Sequence, residues 1–386
     1  MSFLLGPPQT APRPRALRRL GARALKVAEF LTTPLLPADY GSLIAPLHLS
    51  ADLRGRLVER RRETADAATL LIRPGRGWRP HVPGQYIRIG VDVDGVRHWR
   101  AYSLTSRVGA DDGLVAVTVK KIPDGVVSRH LVDEIEPGTL LMLDQAAGDF
   151  VLGPRAPRRA LFLTAGSGIT PVMGMLRNHP ELTDVVVVHS APTADDVVMG
   201  AELRALHDSG RIRLVERHTR VEGILDLRPD GASGDESDAD AARTLDALVP
   251  DWRLRETWAC GPTAMLDAAQ ERWDAAGLGV RLHTERFRPV VAATGDGGVV
   301  TFTRSGLDVD ADGGAPILDS GEDAGVLMPS GCRMGICFGC VAPLREGSVR
   351  DLRTGEVTTA SAGNGGGAVP IQTCVSAPAG ACSIDL

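Results

Sequence analysis

The chain of 386 residues is long enough for roughly two to three domains, and its 43% hydrophobic and 24% charged residues are typical of a globular protein. Its 44 glycines show no Gly-X-Y period, which excludes collagen. No apolar run approaches the roughly 18 residues of a membrane span, and no apolar stretch follows a basic start, so we expect a cytoplasmic protein. Because the net charge is -5, we expect no nucleic-acid partner.

Residues 1–51 are Pro-rich and predict an N-terminal extension. Residues 13–26 hold six basic side chains and no acidic one, and residues 16–31 have the pattern of a basic amphipathic helix. A solvated extension and a peripheral contact with a membrane or partner are both compatible with this pattern. The second would make the protein membrane-associated.

Residues 52–155 contain short strand-like runs bounded by Gly, Pro and Asp, which predicts an antiparallel β-barrel. One short helix is predicted over 126–132. The strand-like runs are 57–58, 69–72, 86–93, 114–120 and 139–143.

Residues 156–287 alternate strand-like and helix-like runs, which predicts an α/β domain with a parallel sheet. An acidic insert at 229–242 predicts a loop, and residues 288–297 predict a linker to a C-terminal domain at 298–386. The predicted strands are 160–163, 185–189, 211–215 and 257–260, and the predicted helices are 171–178, 201–207 and 263–273.

Four of the six cysteines form a pattern near the C-terminal end. Cys332-x4-Cys337-x2-Cys340, followed by Cys374 after 33 intervening residues, is the plant-type [2Fe-2S] spacing. Three thiolates on one tight loop can wrap a small cluster, and the fourth closes it from elsewhere. The alternative is a structural zinc site, which usually uses two C-x2-C pairs, whereas this pattern contains one. Cys382 lies outside the pattern and is interpreted as a small core residue.

The segment 330–340 (Ser-Gly-Cys-Arg-Met-Gly-Ile-Cys-Phe-Gly-Cys) resembles the cluster loop of plant-type ferredoxins. The resemblance implies an α+β (β-grasp) domain over 298–386. The gap before Cys374 is slightly longer than in the family, and the glycine-rich stretch 360–368 accounts for the difference.

A second group of motifs lies in the predicted barrel. In the run Arg100-Ala-Tyr-Ser-Leu104, Arg100 and Tyr102 would share one strand face, which suits a ligand with a phosphate and a flat ring. Residues 125–128 could open a helix whose N–H groups face a phosphate. Each motif alone is also compatible with ordinary core packing.

In this order, ahead of an α/β domain, the motifs resemble the ferredoxin–NADP reductase superfamily of flavoproteins. The resemblance implies FAD, although some relatives use FMN. It implies Arg100 on the diphosphate, Tyr102 against the isoalloxazine or ribityl group and Ser103 near the flavin N5. The other implied flavin-binding residues are Leu104, Val119, Gly125, Val126, Val127 and Ser128.

The turn at 165–171 (Ala-Gly-Ser-Gly-Ile-Thr-Pro) connects a predicted strand to a helix, where glycines let the backbone approach a pyrophosphate. Its G-x-G-x-x-P form is the one seen in the same superfamily. The resemblance also puts the turn at 260–262 beside the nicotinamide, and Glu285-Arg-Phe287 resembles the family's Glu-x-Phe. Packing at a domain boundary is the alternative for Phe287. The predicted nicotinamide-binding residues are Gly166, Ser167, Gly168, Ile169, Thr170, Pro171, Ser190, Cys260, Gly261, Pro262 and Phe287.

NADPH requires a basic or hydroxyl group near the adenosine ribose. The Arg often found after the second strand in NADPH-using relatives is missing here, but Arg217 and Arg220 at the next strand end could replace it. Ser190 could bind the 2′-phosphate. We therefore favour NADPH over NADH.

The order of domains resembles single-chain reductases that supply oxygenases and desaturases. The resemblance implies hydride transfer from NAD(P)H to FAD, single-electron transfer to a [2Fe-2S] cluster, and delivery to a terminal oxygenase. No side-chain acid or base is required, so no catalytic residue is assigned. We favour a membrane di-iron acyl desaturase or alkane hydroxylase as acceptor over a soluble ring- or steroid-hydroxylating oxygenase. An iron–sulfur flavoprotein redox sensor and a zinc-stabilised binding module are the alternatives from other classes.

Overall fold

The computed structural model describes residues 45–48, 52–93, 95–122, 125–228, 243–287, 293–330, 333, 335, 338–361 and 367–386. The basic segment 13–26, the acidic insert 229–242 and the predicted ligands Cys332 and Cys337 lie outside the described residues. No helix within the described ranges is long and apolar enough to cross a membrane.

The first sheet is antiparallel, has six strands and curves into a barrel. Its strand order is β4-β3-β6-β1-β2-β5. A bridge between Leu104 and Val117 joins the two edge strands, and the Thr105 N–H donates to the Ala116 carbonyl at 2.8 Å. Alternating apolar residues fill the interior, which explains why these short runs form strands. The strands are β1 Arg54–Thr64, β2 Ala67–Pro74, β3 Tyr86–Val93, β4 Val96–Ser103, β5 Val115–Lys120 and β6 Leu140–Leu143, with helix α1 at Val126–Arg129 and a π turn at His130–Glu134.

The second sheet is parallel, and its strand order is β11-β10-β7-β8-β9. Its central strands are continuous apolar runs because both faces are covered. The strands are β7 Ala160–Ala165, β8 Val185–Ala191, β9 Arg213–His218, β10 Glu256–Cys260 and β11 Leu282–Glu285. The helices are α2 Ile169–Asn178, α3 Gly200–Asp208, α4 Thr219–Glu222, α5 Leu245–Leu248 and α6 Thr263–Ala275, with 3-10 turns at Gly166–Gly168, Ala194–Asp196, Trp252–Leu254 and Gly279–Arg281.

Helix α2 holds the parallel-sheet domain against the barrel. A side chain at Gly174 would collide with the Leu104 carbonyl, so glycine permits the close approach of the two backbones. The Arg177 guanidinium donates to the Thr105 carbonyl at 2.5 Å, and the Asn178 amide donates to the Ser106 carbonyl at 2.9 Å. The residues that follow β4 are therefore fixed by the second domain.

The third sheet is mixed, and its strand order is β13-β12-β17-β14-β15, with β16 paired to β14. The β12–β17 pair is parallel and the others are antiparallel. One helix packs on this sheet, as the predicted α+β class requires. The strands are β12 Gly298–Phe302, β13 Leu307–Ala311, β14 Val341–Asp351, β15 Val357–Ala360, β16 Val369–Gln372 and β17 Ser376–Ile384, and the helix is α7 Ile317–Asp323. The predicted combination of barrel, parallel sheet and α+β domain is confirmed.

Candidate functional site

The end of strand β4 combines a half-buried cation, a half-buried phenol and a buried hydroxyl. The first four residues of the predicted flavin motif 100–104 belong to strand β4, which ends at Ser103. Burial lowers the pKa of Arg100 and raises that of Tyr102. Ser103 Oγ is buried and has no hydrogen-bond partner among the described residues. An unsatisfied buried hydroxyl beside a half-buried cation and an aromatic ring fits an anionic cofactor with a flat ring system.

The other predicted flavin residues offer mainly backbone groups. Leu104, Val119 and Val127 contribute their side chains to the barrel core, whereas Val126 is exposed. Gly125 precedes α1, and its carbonyl accepts a hydrogen bond from Ser128 Oγ at 3.2 Å. These contacts position the turn at 125–128 but do not test its predicted role in diphosphate binding.

The predicted nucleotide turns meet at one end of the parallel sheet. Chain order reverses between the adjacent strands β7 and β10, and ligands bind parallel sheets at such switch points. The turn at 166–171 follows β7, and the turn at 260–262 follows β10. A side chain at Gly168 would collide with the Cys260 carbonyl, and Gly166 has a left-handed φ of +54°. Glycine is therefore required for the two turns to pack together.

A cavity of about 940 Å³ opens at this point. Its lining includes residues 166–168, Ser190, residues 261–262 and Phe287. Ile169, Thr170, Pro171 and Cys260 are instead buried in the walls behind the turns. The structure thus brings the predicted nicotinamide residues to one cavity, whose size is within the range of small-molecule and cofactor sites.

Basic side chains surround the cavity. They are Lys120, Lys121, Arg228, Arg243 and Arg286. Arg217 is buried, and its guanidinium donates to the Glu222 carbonyl at 3.1 Å. Its side chain is therefore bound to helix α4, which follows its own strand. Arg220 is exposed, and its N–H donates to the carbonyl of the cavity residue Pro192 at 3.1 Å. Neither of the two arginines considered for NADPH lines the cavity, but the backbone of Arg220 is joined to the lining residue Pro192 by this hydrogen bond.

Glu285 carries the largest carboxyl pKa rise at this site. Burial, together with the charge of Asp149, raises the pKa of Glu285 from 4.5 to about 8. Its Oε2 is buried and has no hydrogen-bond partner in the described ranges. Glu285 pairs with Cys260 on the adjacent strand, and burial raises the pKa of that thiol. Sequence reasoning identified Glu285 only as part of a motif, because protonation depends on the residues that pack around it.

The C-terminal domain brings two of the predicted cluster ligands together. Cys340 Sγ and Cys374 Sγ lie 3.0 Å apart, although 34 positions separate them in the chain, and both are buried. The Thr373 hydroxyl donates to the Cys340 carbonyl at 2.9 Å and holds the two segments in register. The fold therefore brings the third and fourth cysteines of the predicted ligand set to one buried place.

Arg333, the described residue next to the first predicted ligand in sequence, lies within electrostatic range of the barrel. Arg333 follows Cys332 in sequence and pairs with Asp319 at 2.6 Å and with Glu322 on α7. After burial, the guanidinium of Arg333 is the strongest contributor to the lowered pKa of Arg100. The charged side chains of Arg333 and Arg100 are therefore close enough to interact electrostatically. Sequence reasoning missed this proximity because the two segments are more than two hundred residues apart.

The fold and these sites define an iron–sulfur flavoprotein oxidoreductase. Family models match residues 77–151 as an oxidoreductase FAD-binding domain, 162–271 as an oxidoreductase NAD-binding domain and 300–379 as a 2Fe-2S iron–sulfur cluster binding domain. The chain is 50% identical over 378 residues to an NADPH oxidoreductase of Mycobacterium tuberculosis, covering 96% of this chain and 94% of the relative. It therefore belongs to the ferredoxin–NADP reductase-like oxidoreductases with a C-terminal 2Fe-2S domain.

More distant relatives share the same organisation. The chain is 28% identical to the glycine betaine monooxygenase reductase subunit of Pseudomonas aeruginosa PAO1, covering 78% of this chain and 86% of the relative. Phthalate dioxygenase reductase has the same fold, with a TM-score of 0.56 at 20% identity over 87% of this chain and 98% of that one. The chain is thus an NAD(P)H-dependent oxidoreductase that uses FAD and a [2Fe-2S] cluster.

Proposed function

We propose that this chain supplies electrons from NADPH to a terminal oxygenase. The residues at the end of β4 would hold FAD, which would supply the conversion of a two-electron hydride from the nicotinamide into single electrons for the [2Fe-2S] cluster. The main support is that an FAD-binding, an NAD-binding and a 2Fe-2S domain follow one another in this single chain. Relatives named as reductase components of oxygenases, including that of 3-ketosteroid-9-alpha-monooxygenase from Mycolicibacterium smegmatis at 29% identity, support an oxygenase acceptor.

Particular residues are proposed for each cofactor. Arg100 and the turn at 125–128 would hold the FAD diphosphate, Tyr102 would contact the ring or ribityl group, and Ser103 would lie near N5. The turns at 166–171 and 260–262, with Ser190 and Phe287, would bind the nicotinamide dinucleotide. The proposed iron ligands are Cys332, Cys337, Cys340 and Cys374. The domain limits proposed with them are 52–155, 156–287 and 298–386.

We also propose that Arg220 and Ser190 select NADPH by binding its 2′-phosphate. Ser190 lines the cavity, the backbone of the exposed Arg220 is hydrogen-bonded to the lining residue Pro192, and a guanidinium is a strong partner for phosphate. Arg220→Ala should lower kcat/KM for NADPH on the order of tenfold, chiefly through KM, and leave NADH turnover nearly unchanged. Arg213→Ala, at the opposite end of β9, is the control. Equal losses with both nucleotides would contradict the assignment.

The acceptor is proposed to be a membrane-bound di-iron acyl desaturase or alkane hydroxylase. The support is the basic segment 13–26, which suits an anionic membrane surface. A soluble ring- or steroid-hydroxylating oxygenase is the second candidate, which the names of the relatives favour. Reconstitution with one purified member of each class distinguishes them. Deletion of residues 1–45 should reduce turnover only with the membrane acceptor, and unchanged membrane-coupled turnover would remove the argument for it.

The first measurement is an anaerobic visible spectrum titrated separately with NADPH and NADH. Bleaching of both flavin and iron–sulfur bands is expected. A flavin that bleaches beside a cluster that never becomes reduced would contradict the proposed electron path. The redox-sensor alternative predicts a response to reduction without sustained electron delivery to any acceptor.

A further inference from the structure

The carbonyl of Gly335 receives two side-chain hydrogen bonds. Gly335 lies between the predicted ligands Cys332 and Cys337. Its oxygen accepts from Arg353 Nη1 at 3.0 Å and from Gln372 Nε2 at 2.9 Å. Both lone pairs are therefore used, and the peptide orientation is determined from outside the loop.

The geometry at Gly335 requires glycine. Its φ is +73°, and a side chain there would collide with the guanidinium of Arg353. The guanidinium thus lies directly against the backbone of the cysteine loop. This contact explains a glycine that the sequence motif alone presents only as a flexible position.

The two side chains that donate to Gly335, those of Arg353 and Gln372, are themselves held by hydrogen bonds. Asp351 accepts from Arg353 Nε at 3.2 Å and from Nη2 at 2.7 Å. The Gln372 amide accepts from Arg353 Nη2 at 3.3 Å, which orients its NH₂ group toward Gly335. Gln372 also lies two residues before Cys374. The network therefore connects the turn that follows β14 to two segments, those of Gly335 and Gln372, that carry or flank predicted cluster ligands.

The positive and negative groups of the network of Asp351, Arg353, Gln372 and Gly335 have a fixed orientation relative to the cysteine segment. Nη1 of Arg353 faces the cysteine loop, whereas the carboxylate of Asp351 binds the Nε edge of the same guanidinium. Cys340 and Cys374 lie within electrostatic range of Arg353. Reduction adds one negative charge to a cluster, so a fixed positive end nearby favours the reduced form.

We propose that Arg353 and Gln372 are positioning residues for the cluster loop, and that the charge of Arg353 raises the reduction potential of the [2Fe-2S] cluster. This inference depends on the proposed cysteine ligands. Arg353 acts through the Gly335 peptide and its field, and Gln372 acts through the peptide alone.

The test is an EPR-monitored redox titration of the purified holoprotein. We expect Arg353→Gln to lower the midpoint potential of the cluster by at least about 28 mV. This shift corresponds to about a threefold smaller ratio of reduced to oxidised cluster at a given potential, because a tenfold change in that ratio is about 59 mV for a one-electron couple. Arg353→Lys keeps the charge and should remain close to the native potential. Asp351→Asn leaves the guanidinium uncompensated and should raise the potential.

Two further variants separate charge from position. Arg345→Gln removes an equal charge from an exposed position on β14, the strand that ends two residues before Arg353. Because Arg345 pairs with Asp385, this variant should leave the potential unchanged. Gln372→Leu changes no charge, so it should keep the potential but release iron faster to a chelator.

The outcomes distinguish this inference from the assignment of the ligands. A native protein without the [2Fe-2S] EPR signal would contradict the ligands themselves. A normal signal with equal potentials in Arg353→Gln and Arg345→Gln would overturn only the role of Arg353. If Arg353→Gln fails to assemble a cluster, its potential cannot be measured and Asp351→Asn is used instead. A lowered or unchanged potential in Asp351→Asn would then overturn the role of Arg353. Native iron retention in Gln372→Leu would overturn the positioning role of Gln372.

Discussion

The nucleotide turns and the cluster loop are held by different kinds of atoms. At the nucleotide site, the turns at 166–168 and 260–262 pack backbone against backbone, and glycines make the approach possible. At the cluster loop, charged and amide side chains from outside the loop hold one carbonyl at Gly335. A nucleotide must enter and leave, which suits an open cavity lined by fixed backbone groups. A resident cluster needs a fixed loop, which suits a side-chain network.

The largest effect is expected from removal of a proposed cluster ligand. Cys340→Ala should abolish the iron–sulfur absorption and EPR signal, because a lost ligand costs more than the roughly 10–100-fold that an outer partner contributes to metal affinity. Flavin-dependent reduction of ferricyanide by NADPH should persist. Cys382→Ala, in the same core but outside the motif, is the matched control. A normal cluster in Cys340→Ala would contradict the ligand set.

A smaller but clear effect is expected at the nucleotide turns. Gly168→Ala forces the two turns apart, since the new methyl group would overlap the Cys260 carbonyl. Overpacking of this kind typically costs about 1–3 kcal/mol, which corresponds to a loss of roughly fivefold to a hundredfold in nucleotide affinity. Stopped-flow reduction of the flavin by NADPH measures it. The control is Gly153→Ala, where a side chain meets nothing within 4 Å. Equal rates in both variants would show that the close packing of the turns is unimportant.

The smallest effect concerns pH. Because the pKa of Glu285 rises from 4.5 to about 8 on folding, the folded protein binds this proton more tightly than the unfolded chain. The contribution to stability is present below about pH 4.5 and declines as the pH rises toward 8, by at most about 1.4 kcal/mol per pH unit.

Glu285→Gln should remove this part of the pH dependence. Thermal unfolding at pH 6 and pH 8 measures it, and the native protein should lose more stability between the two than the variant. The exposed Glu271→Gln is the control. Parallel pH profiles for the native protein and Glu285→Gln would show that Glu285 is ionised at both pH values.

Local patterns were sufficient for the fold class and for the cofactors, and they supplied the candidate residues proposed for each cofactor. The alternation of strands and helices predicted the parallel sheet because its period is a property of neighbouring residues. The spacing of the cysteines predicted the cluster because one short loop supplies three ligands. The glycine turn after β7 was recognisable because a strand, a tight turn and a helix follow one another directly.

Long-range packing decided the rest. The burial of Arg217, the raised pKa of Glu285 and the convergence of Arg353 and Gln372 on Gly335 all join segments that are distant in sequence or depend on exclusion of water. Residue type states what a side chain can do, whereas its partners and its exposure decide whether it does so. The sequence by itself therefore determined the three domains and their cofactors, and only the tertiary structure decided which charges face each site.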